Sequence, residues 1–434
     1  HLVHIFRLSL AFDTMALLMV PRTNKTLHRR SLTSLILSLF LTMKCSSFNP
    51  LIFKKNHRMI IHGLSKKSNR RLYSSSQVTR KTFDSDSIRS KTKCYLTIAD
   101  TPLGKHAAGS ALLDGLDVFT VNAGGDDHPL SVFGINSTDP IQSTHDEKTV
   151  RPILLLHGRT WSSIPVYHLL GGSKRKSNGE ENRSLMEKLL EYGLQPYAMD
   201  FRGFGGTPND ATKCVEPFCC VSDVETVLKW ISKRHGMDSK LGTGDDVFEN
   251  PALLGWSQGA LVAQMVAQKR NNLISKLVLY GSIYDPLIRY PREPLYTTTP
   301  VADLEIISNT ANSAMEDFTI EGSISLETAS KFAEAALITD PHKAVWKDLY
   351  QFNNLDPAQV QIPTLVVAGD QDPYAPLQVQ AELFSNLGRG SDRTWSILAD
   401  ADHAAHLLGG RQRFAKIVCS FVKNGKRTDN SYHF

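Results

Sequence analysis

The five residues Gly255-Trp256-Ser257-Gln258-Gly259 stand between two segments of opposite character. The short apolar run before them, residues 251–254, predicts a buried strand, and the helix formers after them, residues 260–268, predict a helix. A G-x-S-x-G sequence between a strand and a helix is typical of a tight turn that holds its serine in a strained backbone conformation. Both glycines are expected because a side chain at either position would collide with neighbouring backbone. The alternative is a chance match in a loop, which the flanking segments disfavour.

Positive charge is concentrated at the start of the chain. The whole sequence of 434 residues has a formal net charge of +6, yet residues 1–93 contain 18 Lys and Arg against 3 Asp and Glu. The rest of the chain is therefore acidic, and the positive total does not indicate nucleic-acid binding. We predict no nucleic-acid partner.

Residues 1–93 are predicted to be a disordered targeting leader. The basic stretch 28–30 and the apolar run 32–41 resemble a secretory signal, and residues 51–93 are rich in Arg, Lys and Ser, as transit peptides are. Together they resemble the two-part leader of proteins imported into the plastids of algae with secondary plastids. The alternatives are a disordered basic tail, or a secreted, endomembrane or mitochondrial location. The apolar run is too short for a membrane span, so no stable membrane insertion is predicted.

Strand-like and helix-like segments alternate after the leader. Residues 115–121 and 130–135 have period-two patterns on either side of a turn, which predicts an antiparallel pair at a sheet edge. Residues 153–156 are apolar on both faces, as in a central parallel strand. Further strands are predicted at 195–200, 251–254, 276–280, 364–368 and 394–398, and helices at 184–192, 222–235, 260–268 and 412–422. The alternation predicts the α/β class, with a mostly parallel eight-stranded sheet wrapped by helices and ligands at the carboxyl ends of its strands.

One long segment, residues 284–356, interrupts this alternation with helix-like patterns and no convincing strand. Helices are predicted within it at 303–308, 325–336 and 342–352. A segment of this length is too long for a loop, so it predicts a helical cap over the carboxyl ends of the strands. The predicted body is therefore a core in two parts, residues 94–283 and 357–434, with the cap between them.

A serine alone is a weak nucleophile and needs a general base that is held in place by an acid. Two loops that follow later predicted strands contain these residue types. In the first loop Asp372 is preferred over Asp370, because it lies further from the strand end. In the second loop His403 is preferred over His406, because it is the first imidazole after the strand. Ser257, Asp372 and His403 are therefore the predicted catalytic residues, and the other two stay open as alternatives.

An attack on a carbonyl group also needs two N–H donors for the oxyanion that forms. One predicted donor is the backbone N–H of Gln258, directly after the serine. The second is the backbone N–H of Arg159, in the turn after the central strand, where Gly158 permits a close approach. His157 in the same turn is expected to be a structural histidine bonded to backbone rather than a base.

Five motifs in this order resemble the α/β-hydrolase superfamily. They are residues 157–158, 200–207, 255–259 and 369–376 and the later His403, and the resemblance extends over about residues 116–422. It is closest to the capped branch of esterases, C–C bond hydrolases, perhydrolases and aminopeptidases of the proline-releasing kind. The resemblance implies that Ser257, Asp372 and His403 form a triad beneath a cap. Trp256 and Arg159 are the predicted substrate-binding residues.

Two residues depart from what is usual in that family. Asp402 stands before His403 where the family usually has glycine, and it is expected to reach the imidazole and alter its pKa. Arg159 stands where an apolar or small residue is commoner, and its guanidinium is expected to reach the pocket and favour an anionic substrate.

The expected activity is that of a serine hydrolase that cleaves a small or medium ester-type substrate through an acyl-enzyme on Ser257. The sequence contains no dinucleotide fingerprint and no metal-ligand cluster, so no cofactor and no metal are predicted. A serine at this position excludes the aspartate-nucleophile chemistry of dehalogenases and epoxide hydrolases. The alternatives are a cofactor-free perhydrolase, a C–C hydrolase or a lyase on the same triad, and a non-catalytic ligand-binding member. The expected partner is a small molecule.

Overall fold

Eight strands form one sheet in the computed structural model, which describes residues 107–135, 151–172, 181–237, 250–287 and 306–424. The predicted leader lies outside these ranges. The strands are β1 Leu116–Asn122, β2 Pro129–Ile135, β3 Arg151–Leu156, β4 Leu194–Met199, β5 Ala252–Trp256, β6 Leu277–Tyr280, β7 Thr364–Gly369 and β8 Arg393–Leu398.

The order of the strands across the sheet is β1-β2-β4-β3-β5-β6-β7-β8. β2 pairs antiparallel with both β1 and β4, and every other neighbouring pair is parallel. The predicted mostly parallel eight-stranded sheet is therefore confirmed, and so is the antiparallel pair at its edge.

The central strand β3 shows why its sequence is apolar throughout. Ile153 and Leu155 pack into the core on one face of the sheet, while Leu154 and Leu156 pack into the core on the other. All four side chains are fully buried. Successive side chains of a strand point to opposite faces, so a strand covered by helices on both sides needs apolar residues at every position.

Helices cover both faces of the sheet, as predicted. They are α1 Ala107–Leu112, α2 Ser163–Tyr167, α3 Leu185–Glu191, α4 Pro217–Arg234, α5 Gln258–Lys269, α6 Ala311–Met315, α7 Leu326–Thr339, α8 Leu377–Asn386 and α9 Arg411–Lys423. Helices α3 and α9 pack on one face, and α4, α5 and α8 pack on the other. Helix α4 begins five residues before its predicted start because Pro217 occupies its first turn, a position that suits proline. Helices α1, α2, α6 and α8 were not predicted.

The described part of the predicted cap, residues 306–356, is called the cap segment here. Its predicted helix at 325–336 is confirmed as α7. The other two predicted helices are wrong in the described residues. Ser308 and His342 instead form an antiparallel bridge. Residues 303–305 lie outside the described ranges.

Tertiary contacts explain why residues 342–348 do not form the predicted helix. Trp346 forms a parallel bridge with Val215, and its indole ring is almost fully buried against Phe201 and Phe204. Only a short 3-10 helix, Leu349–Asn354, follows. Burial of one large aromatic side chain thus overrides a local helical preference. No helix within the described ranges has the length and apolar character that a membrane crossing needs.

Candidate active site

The turn between β5 and α5 has the conformation that its sequence predicts. Ser257 lies between the two elements with φ 56° and ψ −122°, a strained combination for a residue with a side chain. A Cβ on Gly255 would overlap the carbonyl oxygen of Gly259, and a Cβ on Gly259 would overlap the carbonyl oxygen of His157. The two flanking glycines are therefore required for the close packing of this turn.

The predicted acid and base lie in contact at the carboxyl end of the sheet. His403 Nδ1 is 2.8 Å from Asp372 Oδ2. The other oxygen of Asp372 accepts hydrogen bonds from the backbone N–H groups of Tyr374 and Ala375, at 2.9 and 3.0 Å. The carboxylate is thereby fixed, and it holds the imidazole with Nδ1 as the donor and Nε2 directed elsewhere.

Ser257 and His403 line the same cavity, which has a volume of about 690 Å³. Ser257 is 8% exposed and His403 is 4% exposed, so both reach the cavity from otherwise buried positions. The structure thus brings together the three predicted side chains from three separate loops. Asp372 contacts the side of the imidazole that faces away from the cavity residue Ser257, through Nδ1.

The alternatives that the sequence left open lie elsewhere. Asp370 is exposed, and its carboxylate accepts a hydrogen bond from the Ala401 backbone N–H at 3.1 Å. His406 is fully buried beside Tyr280, and burial lowers its pKa to about 3. Neither residue lines the cavity that contains Ser257.

Two side chains hold the backbone of His403 in place. The indole N–H of Trp256 and the hydroxyl of Tyr280 both donate to the His403 carbonyl oxygen, at 2.8 and 3.0 Å. Trp256, predicted to bind substrate, lines the cavity but is only 3% exposed. Tyr280 was not predicted, although its position at the carboxyl end of β6 places it at the edge of the sheet where the site lies.

The two predicted oxyanion donors belong to adjacent turns. Gln258 is the first residue of α5, where backbone N–H groups lack partners within the helix. A Cβ on Gly158 would lie 3.2 Å from the Cβ of Ser257, so the turn that contains Arg159 runs directly beside the serine. The Arg159 carbonyl oxygen accepts a hydrogen bond from the Trp346 indole at 3.0 Å, which ties this turn to the cap segment.

His157 is a structural histidine, as predicted. Its Nε2 accepts a hydrogen bond from the Phe201 backbone N–H at 3.1 Å, and its Nδ1 lies 3.0 Å from the Gly158 carbonyl oxygen. The ring is fully buried, and burial lowers its pKa to about 3, so it stays neutral. It therefore joins the turn after β3 to the turn after β4.

The expected contact between Asp402 and the imidazole is not made. One oxygen of Asp402 accepts from the backbone N–H of Thr319 and the other from that of Ala404, both at 2.9 Å. A buried carboxylate needs such donors, and here they lie in the cap segment and in its own loop. Asp402 therefore connects the His403 loop to the cap segment.

Asp317 in the cap segment is a cavity residue that the sequence did not single out. Its Oδ2 accepts a hydrogen bond from the Trp161 indole N–H at 3.0 Å. Burial raises the pKa of Asp317 to about 6, while the His403 imidazole and the Trp161 hydrogen bond act in the opposite direction. Arg159 lines the cavity as predicted, and its guanidinium donates to Gln258 Oε1 at 3.1 Å.

The described residues include no group of His, Cys, Asp and Glu that could hold a metal ion. The cavity wall is nevertheless rich in charge: Arg159, Asp285, Glu316, Asp317 and Lys343 all line it.

Several solved structures are similar to this chain. A thermophilic esterase from Thermogutta terrifontis is 15% identical with a TM-score of 0.47, over 70% of this chain and 98% of the esterase. A carboxylesterase from Bacillus subtilis is 15% identical with a TM-score of 0.46, over 73% and 95%. A meta-cleavage product hydrolase is 15% identical with a TM-score of 0.48, over 73% and 100%. Similarities this low carry no information on the substrate.

A comparison with curated protein sequences found no match. The model of the alpha/beta hydrolase family matches residues 153–417, which is more than half of the chain. The matched residues include the strand-to-helix turn, the acid and the imidazole described above. The chain belongs to the alpha/beta hydrolase family.

Proposed function

We propose that the protein is a serine hydrolase that cleaves a small or medium ester-type substrate through an acyl-enzyme on Ser257. The observation that carries this proposal is the hydrogen bond between Asp372 and the His403 imidazole. This imidazole lines the same cavity as Ser257. The strained turn supports it as well, because such strain is typical of residues held for catalysis.

In the proposed reaction the Ser257 hydroxyl attacks the substrate carbonyl carbon while His403 Nε2 takes its proton. Asp372 keeps the proton of Nδ1 in place and stabilises the imidazolium that forms. The backbone N–H groups of Gln258 and Arg159 stabilise the oxyanion. The imidazolium then gives its proton to the leaving alcohol, and the carbon–oxygen bond to that alcohol breaks. Water, activated by the same imidazole, releases the acid from the serine.

The experiment is labelling with a fluorophosphonate probe, which reacts with activated serines. Ser257→Ala should abolish labelling and lower the hydrolysis of p-nitrophenyl esters by at least about 10⁴-fold. Ser313 lines the same cavity, so Ser313→Ala is the matched control and should keep the label. Circular dichroism would confirm that both variants are folded.

Two outcomes would contradict the proposal. Equal labelling of wild type and Ser257→Ala would show that another residue is the nucleophile. Turnover of peroxide with acetate, without cleavage of any p-nitrophenyl ester across a series of acyl lengths, would indicate a perhydrolase instead.

A further inference from the structure

Asp317 occupies an unusual place for a carboxyl group. It follows the short helix α6 in the cap segment, and its side chain lines the cavity together with Ser257 and His403. A partly buried carboxylate is costly unless it is paired with a positive group or serves a ligand. Within the described residues no Lys or Arg forms an ion pair with Asp317.

The carboxyl group is held in position from one side. The Trp161 indole N–H donates to Oδ2 at 3.0 Å, and Trp161 itself is 1% exposed and packs edge-to-face against Phe332 of α7. Among the described residues, no protein donor is hydrogen-bonded to the other oxygen, Oδ1. The orientation of the carboxyl group is thus set by a rigid aromatic side chain.

We propose that Asp317 is a specificity-determining residue, which selects substrates that carry a cationic group, such as an alkylammonium, close to the scissile ester. The inference rests on the proposed function and adds the substrate class to it. It also reverses the preference for anions that Arg159 alone would suggest, because the Arg159 guanidinium is engaged by the Gln258 side chain. An alkylammonium beside Asp317 would give its carboxylate the ion-pair partner that no Lys or Arg of the described residues supplies.

The charge of Asp317 depends on pH in the range where esterases are assayed. Its pKa is raised to about 6, so the carboxylate attracts a cation above that pH and loses the attraction below it. The ionisable groups that act on it or share the cavity wall are His403, Asp402, Glu316, Tyr374, Asp285, Arg159 and Lys343. Any effect of pH on the proposed acyl-transfer steps applies to both esters, so the ratio of two esters isolates the contribution of Asp317.

The test compares a choline ester with the 3,3-dimethylbutyl ester of the same acid. The two have the same shape, and only the choline ester has a positive charge, which does not titrate. In Asp317→Asn, which keeps an oxygen for the Trp161 indole, the ratio of their kcat/KM values should fall about tenfold, the effect of one partly screened charge pair. Glu321→Gln removes an exposed carboxylate of the cap segment that does not line the cavity, and it should change the ratio by no more than about twofold.

The pH profile of this ratio gives a second readout. In wild type the preference for the choline ester should rise between about pH 5 and pH 7.5, and in Asp317→Asn the ratio should stay flat. A wild-type ratio unaffected by pH and by Asp317→Asn would overturn the inference, even if both esters are cleaved by Ser257.

The binding of the two alcohols separates this inference from the proposed function. If no ester is cleaved and Ser257 is not labelled, the proposed function fails, but calorimetry with choline and 3,3-dimethylbutan-1-ol still tests Asp317. Tighter binding of choline that is lost in Asp317→Asn supports the inference. Equal binding of both alcohols by wild type overturns it.

Discussion

The loops at the carboxyl ends of the strands and the cap segment contribute to the same cavity but are held in different ways. In the loops the key groups are fixed by the loops themselves and by the ends of the strands: the Asp372 carboxylate accepts from the backbone of Tyr374 and Ala375, and the His403 carbonyl oxygen accepts from the side chains of Trp256 and Tyr280. In the cap segment the key group is fixed by a residue outside the segment. Asp317 is held by Trp161, 156 positions earlier in the chain.

This difference suggests that the loops determine the rate of the proposed reaction and that the cap segment determines which substrate binds. The acid and the base can keep their geometry with few contributions from the cap segment, because a rigid sheet presents the loops that contain them. The cap segment instead depends on polar contacts with those loops, such as the Trp346 indole on the Arg159 carbonyl and Thr319 on Asp402. We therefore expect loop substitutions to lower kcat, and cap substitutions to change stability and substrate preference.

The largest effect should come from Asp372→Asn. An asparagine presents an amide where the carboxylate now fixes the imidazole tautomer, so kcat should fall by about 10⁴-fold, as it does when the acid of a characterised Ser-His-Asp triad is neutralised. The measurement is steady-state hydrolysis of a p-nitrophenyl ester. Asp370→Asn is the matched control in the same loop, and it should change kcat by less than about threefold because that carboxylate is exposed. The reverse order of the two effects would assign the role of acid to Asp370.

The same difference explains what could be predicted from the sequence. The strands were predictable because burial on both faces requires apolar residues at consecutive positions, as in residues 153–156. The sequence could predict the positions of Ser257, Asp372 and His403 because each lies in a turn or loop that follows a predicted strand. The glycines around Ser257 gave the turn a local signature.

The contacts of the cap segment had no such local signal. The helical pattern of residues 342–352 was overridden by the burial of Trp346 against Phe201 and Phe204. A local sequence pattern carries no information about these distant partners. Asp317 resembles any surface carboxylate until the fold brings Trp161 beside it. Asp402 was assigned to the wrong partner, since Thr319 reaches it from the cap segment. Each failure concerns a long-range contact.

A smaller effect, on stability, is expected from Asp340→Asn. Asp340 is fully buried at the end of α7, and its carboxylate accepts from the backbone N–H groups of Ser162 and Gly205, at 2.9 and 3.0 Å. An amide directed at these donors leaves at least one of them unpaired, so the free energy of unfolding should fall by about 2–4 kcal/mol.

Urea denaturation measures this change. The control is Asp356→Asn at an exposed carboxylate of the same segment, which should cost less than about 1 kcal/mol although it also accepts from a backbone N–H. Equal stability of Asp340→Asn and wild type would mean that the hydrogen bonds of Asp340 do not contribute to holding the cap segment on the core.

The smallest effect on activity is expected from Tyr280→Phe, which tests whether the Tyr280 hydroxyl helps to position the His403 loop. The Tyr280 hydroxyl donates to the His403 carbonyl oxygen, but the Trp256 indole donates to the same oxygen and would remain. We therefore expect kcat to fall only about two- to tenfold, the range of one hydrogen bond.

Tyr167→Phe is the matched control: that hydroxyl is also buried, but it donates to the Leu156 carbonyl oxygen instead. Both variants should lose about 1 kcal/mol of stability, because each removes the hydrogen bond that a buried hydroxyl donates to a backbone carbonyl oxygen. If kcat falls equally in both, the loss reflects general loosening of the core. If it falls only in Tyr280→Phe, the position of the His403 backbone limits proton transfer.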